Sequence, residues 1–104
     1  MSRNKLQNEN LSFLESELKL DIPKMYKVIL HNDHYTTMEF VVMILQTIFH
    51  MPEYEATDIM MNVHTTGIGI CGTYTKDIAA TKVNQVHDLA RQNQYPLKCS
   101  FEEI

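Results

Sequence analysis

The chain has little of what marks several large classes of protein. Its longest unbroken apolar run, at 40–45, is six residues, far short of the ~20 needed to cross a bilayer as a helix. No helical membrane span is expected. Lys and Arg number nine against 13 Asp and Glu, the formal net charge is −4, and basic residues never cluster beyond isolated pairs. Nucleic-acid binding leaves a basic footprint, so it is not expected either. The two cysteines, Cys71 and Cys99, make no CxxC pair. They read as buried thiols in a reducing, cytoplasmic compartment. The opening MSRNKLQNEN lacks the apolar core of a secretory signal. No internal repeat or low-complexity segment is present.

What remains is 104 residues, 44% of them apolar and 21% charged. That is one soluble domain, able to bury roughly two thirds of its unfolded surface. Residues 1–22 are polar and read as a mobile arm, with Leu11, Leu14 and Leu18 at the spacing of a weak helix. Pro23 separates the arm from a domain at 23–104. A first strand is predicted at 24–31. Thr36 and Glu39 match a capping box opening a helix at 37–50, which is apolar nearly all round and so buried on several sides or lining a pocket. Pro52 suits the first turn of a second helix at 53–64, with Gly67 as its stop. A strand at 68–74, a helix at 76–93 capped by Thr75, and an alternating strand at 97–102 complete the order. The fold class is α+β: a β-α-α-β-α-β two-layer sandwich, three strands packed with three helices.

The junction KVILHNDHYTTM, 27–38, is the most informative stretch. An alternating apolar run stops at Asn32-Asp33-His34 and an apolar helix follows, placing polar groups beside greasy surface. His64, on the second helix, is able to converge on it. Such a site suits a ligand carrying one charged group and one large apolar group.

Other chemistry is poorly supported. GIGICG, 67–72, has the spacing GxGxxG. It follows a helix and enters a strand, the reverse of a dinucleotide fingerprint. His31, His34, Asp33 and His64 fit no zinc template. No nucleophile stands beside a base, and no GxSxG elbow occurs, so neither an enzyme nor a cofactor is expected. Methionines usually fill cores, but Met38, Met43, Met60 and Met61, lying on the two central helices beside Asn32, Asp33 and His64, favour an adaptable pocket wall.

YKVILHNDHYTTMEFVV, EATDIMMNVHTTGIGICGTYT, AATKVNQVHDLA and YPLKC together resemble the ClpS family of protease adaptors, over about 25–102. The resemblance implies the ClpS sandwich, related to the C-terminal domain of a ribosomal stalk protein. It implies an adaptor, monomeric when unbound, that grips the N-terminal residue of N-degron substrates (Leu, Phe, Tyr or Trp). These it delivers to the ClpA unfoldase of the ClpAP protease. Asn32, Asp33 and His64 would then bind the terminal ammonium. Thr36, Met38, Val41, Ile59, Met60, Val63 and Leu97 would form the side-chain pocket, with Met38 excluding β-branched side chains. Tyr74, Thr75, Asp77 and Lys82 would dock the unfoldase, and the arm would engage its pore. The alternative is a module on the same fold that modulates an unfoldase without reading N-termini.

Three positions depart from the family pattern: His34 replaces an acid, Thr37 a proline, and Met43 an often polar residue. A protonated His34 would repel an ammonium, and a protonated His64 would lose its acceptor nitrogen. Affinity for peptides beginning with Phe or Leu is therefore expected to fall as pH drops from ~7.5 to ~6, the ordinary histidine range. Titrations of wild type, His34→Asp and His64→Ala separate the two contributions. A flat wild-type profile refutes both.

Overall fold

The computed structural model describes residues 23–104; the expected arm at 1–22 lies outside them. Val28 and Leu30 on strand β1 (Met25–His31) are wholly buried, and this strand is the centre of the sheet. It pairs antiparallel with β2 (Ile68–Thr75) on one side and β3 (Lys98–Glu103) on the other. Helix α1 (Met38–Thr47) packs on α2 (Glu53–Thr66), α2 lies against β2, and α3 (Lys76–Gln92) crosses all three strands. One core unites Val28 and Leu30 with Ile44 and Leu45 of α1, Ala56 and Val63 of α2, and Ala79 and Val86 of α3. The α+β sandwich predicted from the sequence is the fold observed.

The element ends differ from expectation for local reasons. Strand β1 starts one residue later than predicted, and β3 runs Lys98–Glu103, so Leu97 is a core residue preceding the strand. Helix α1 stops at Thr47, before the expected 50. His50 adopts a left-handed conformation (φ 56), and Met51 N–H donates back to the Leu45 carbonyl at 3.2 Å. Pro52 then disfavours helix at the residue before it, and stands as the N-cap of α2, one position outside the first turn expected for it. Helix α2 runs past 64 to Thr66, with the hydroxyls of Thr65 and Thr66 donating back to the carbonyls of Met61 and Asn62. It ends at Gly67, whose φ of 94 closes the helix in a left-handed cap.

Thr75 is the N-cap of α3, although its side chain makes no capping bond. The pairing of β1 with β2 skips Cys71, a bulge opposite the step from Val28 to Ile29. Cys99 N–H, on β3, donates to His87 Nε2 at 3.0 Å, so α3 covers part of that strand. Both thiols are buried, as expected. Burial pushes Cys99 up to about 12 and Cys71 higher still, so neither is a thiolate at neutral pH.

Of the glycines in GIGICG, Gly67 closes α2 and Gly69 serves packing. A Cβ on Gly69 would lie 2.6 Å from Val63 Cγ2 and 3.2 Å from the Ile59 carbonyl, so the bare backbone lets α2 close on β2. Val63 is a stiff β-branched residue in the core, with little room to yield. Gly69→Ala is expected to cost roughly 1–3 kcal/mol by chemical denaturation. Unchanged stability would show that helix and strand leave room for a methyl group at this position.

Candidate functional site

Where β1 ends, Asn32 donates its backbone N–H to the Gly67 carbonyl at 2.9 Å. The end of the central strand is thereby fixed against the end of α2. His64, in the last turn of α2, and Asn32 border the same cleft, of about 510 Å³.

Asp33 closes the intervening loop on itself. Its Oδ1 accepts from the backbone N–H groups of Tyr35 and Thr36 at 2.8 and 2.7 Å, and its Oδ2 from the Thr36 hydroxyl at 2.7 Å. This is an Asx turn extended by one hydroxyl. Partial burial alone would raise the Asp33 pKa. The bonds from Thr36 and Tyr35, with His34 nearby, outweigh it and hold the carboxyl below its ordinary value.

The bond from Thr36 to Asp33 also moves the helix cap. The expected cap at Thr36 is corrected to Thr37, whose Oγ1 accepts from Phe40 N–H at 3.2 Å. Glu39 becomes the second helical residue, so the expected capping box does not form. Its charge still lies in the first turn, where the helix dipole favours it.

Nine of the residues expected at the site line this one cleft. Asn32, Asp33 and His34 come from the loop, Thr36, Met38 and Val41 from the approach to α1 and its first turn, and Met60, Val63 and His64 from α2. Met38 is 41% exposed and Val41 is buried, so the α1 wall runs from rim to floor. Two expected pocket residues lie elsewhere. Ile59 borders a separate hollow with Asn62, Thr66 and Ile70, because its side chain is turned toward β2 and Gly69. Leu97 is 4% exposed within the core and is not part of the cleft lining. Tyr35, Thr37 and Glu39 also line the cleft and were not anticipated. Adjacency would have found them, since the lining is continuous from Asn32 to Glu39.

His31 belongs to a different surface. Its Nε2 bonds Ser100 Oγ at 2.7 Å on β3; partial burial and then the Lys98 charge lower its pKa, with Glu102 opposing. Among the described residues no group of three or more His, Cys, Asp or Glu side chains is arranged to hold a metal ion.

The expected docking residues cluster at the other end of β2, about 25 Å along the strand from Gly67 at ~3.3 Å per residue. Lys82 Nζ donates to the Ile48 carbonyl at 2.7 Å and stands about 6 Å from the rings of both Phe49 and Tyr74. Burial raises the Tyr74 phenol pKa, with a smaller contribution from Cys71. Thr75 and Asp77 border a shallow hollow with Pro23 and Lys24. Helix α1 thus has its first turn at the cleft and its C-terminal end beside Lys82.

The fold and the cleft define a small recognition module, in which loop and helix walls surround a partly polar, partly apolar hollow. The ClpS family model, described as ATP-dependent Clp protease adaptor protein ClpS, matches residues 21–100. The chain is 63% identical over 91 residues to the ATP-dependent Clp protease adapter protein ClpS of Syntrophus aciditrophicus, covering 88% of this chain and 85% of that protein. To the ClpS of Lawsonia intracellularis it is 50% identical over 103 residues, covering 99% and 94%. Agrobacterium tumefaciens ClpS2, solved bound to L-phenylalaninamide, superposes with a TM-score of 0.78 at 37% identity, over 80% of this chain and 100% of that one. This chain belongs to the ClpS family of Clp protease adaptors. Membership of an adaptor family of the Clp protease implies a Clp unfoldase and substrates as partners.

The depressed pKa of Asp33 carries a sign. Its stabilisation is present in full above the ordinary carboxylate pKa near 4 and is lost as pH falls through the lower folded value. Asp33→Asn, which mimics the protonated acid, is expected to lower Tm by a few degrees at pH 7, the equivalent of about 1 kcal/mol. The two proteins should converge as acid protonates Asp33 in the folded protein. A gap that persists at low pH means that charge on Asp33 is not what holds the loop.

Proposed function

We propose that the cleft binds the N-terminal residue of substrate proteins, ammonium and side chain together, and that the chain delivers them to a ClpA-type unfoldase in the cytoplasm. The observation that carries this reading is the meeting of polar Asn32, Asp33 and His64 with apolar Met38, Val41, Met60 and Val63 in one hollow. A terminal ammonium has three N–H donors and no acceptor, so its site must supply acceptors. The Asn32 side-chain oxygen and one neutral ring nitrogen of His64 meet that need. The oxygens of Asp33 are already committed to Tyr35 and Thr36. Its part is to supply negative potential and hold the turn. The phenylalaninamide bound by the Agrobacterium relative has the same two features, an α-amine and a bulky apolar side chain.

The volume falls in the range of ordinary ligand pockets, roughly 300–1,000 Å³. Burying a Leu- or Phe-sized side chain against Met38, Val41, Met60 and Val63 contributes about 1.5–3 kcal/mol. Asn32 and His64 select for a free amine, while the apolar walls select for bulk. Tyr74, Thr75, Asp77 and Lys82, at the far end of β2, form the surface for the unfoldase, leaving the cleft open when docked.

Fluorescence titration with peptides differing only at residue one tests this. Peptides beginning with Phe or Leu should bind, and those beginning with Lys or Asp should not. Acetylating the α-amine should weaken binding roughly 10–100-fold, the size of one hydrogen bond to a charged group. Equal binding of the acetylated peptide would mean that the cleft does not read N-termini.

A further inference from the structure

Tyr95 lies outside the cleft, on the short connection from α3 to β3, yet it touches the element that forms one cleft wall. Its ring packs against Phe40 in the first turn of α1, with centroids 4.6 Å apart. The Thr37 hydroxyl, which caps α1, donates to the Tyr95 hydroxyl at 3.4 Å. The flanking residues, Thr37 itself together with Met38 and Val41, line the cleft. We propose that Tyr95 is a positioning residue for N-terminal recognition: it holds the first turn of α1 and so sets the distance between the Met38 wall and the α2 wall. The inference rests on the N-terminal-residue reading above.

The prop is stiff because its own backbone has little freedom. Tyr95 N–H donates to the Ala90 carbonyl at 2.8 Å, and Ala90 is buried at the end of α3. Gln94 before it occupies the left-handed region, with φ 61. Pro96 after it has a ring-locked φ, and Leu97 is sunk in the core. Tyr95 therefore transmits the position of α3 to the start of α1. Phe40 and Val41 hold the inner side of the first turn in the core, and its outer side is open. Met38 is 41% exposed and Thr37 is exposed, so without the Tyr95 contact the wall has room to move outward.

A cleft wall that retreats should admit side chains branched at Cβ, which a close Met38 would exclude. The readout is therefore selectivity, the ratio of Kd values for peptides beginning with Ile and with Phe. Tyr95→Ala removes both contacts and should lower that ratio about 3–10-fold, the scale of one aromatic pair. Tyr95→Phe keeps the ring against Phe40 and should recover most of the selectivity. General destabilisation would weaken both peptides alike and leave the ratio unchanged, which overturns the proposal.

Hydrogen exchange at the Phe40 and Val41 amides provides a test that needs no ligand, because both bond to Thr37, one to its hydroxyl and one to its carbonyl. Their exchange should quicken in Tyr95→Ala while amides at the far end of α1 hold steady. Unchanged exchange overturns the brace outright. If wild type bound neither peptide, the N-terminal reading would fail, and exchange alone would decide whether Tyr95 holds α1.

Discussion

The hydrogen bond from Asn32 N–H to the Gly67 carbonyl joins two chain ends that the cleft cannot do without. One is the exit of the buried central strand; the other is the left-handed terminus of α2. A side chain at Gly67 would strain the backbone at φ 94. Gly69, two residues on, lets the same helix lie against β2 with Val63 in van der Waals reach of the strand backbone. Asn32 and His64 share a hollow because strand and helix end at one point, held by backbone groups rather than by contact between their side chains.

Around that joint the loop provides its own support. Asp33 spends its oxygens on Tyr35 and Thr36, and this leaves Thr37 to cap α1. A proline at 37 would fix φ without offering a hydroxyl. Threonine here both caps the helix and reaches Tyr95. His34 also stands at the cleft, beside Asp33, whose charge is kept by backbone and hydroxyl donors. Acidic potential at the cleft thus comes from Asp33 and from Glu39 in the first turn of α1.

Much of this was legible in the sequence. Alternation marked β1 and β3, helical periodicity marked α1 to α3, and Gly67 as a stop followed from its missing side chain. The cleft residues on the junction and on α2 could be named because motifs across most of the chain agreed with one family in order and spacing. Errors arose where a local pattern had a non-local competitor. Thr36 has a capping residue's chemistry, but Asp33 takes its hydroxyl. Ile59 sits on the inner stripe of α2, yet that stripe is divided between the cleft and the approach to Gly69. Leu97 looks like the start of a strand and is instead a core residue preceding it.

The sequence by itself determined the element order, the fold class, the burial of both thiols and the family, since each follows from periodicity, turn residues or motif order along the chain. The tertiary structure decided which residues face the cleft, where α1 begins, and that Tyr95 bears on a helix 58 positions away. Those outcomes depend on directions in space. A one-residue change of cap moves the chain's entry point by about 100° around the helix axis, and contact between distant segments leaves no period to read.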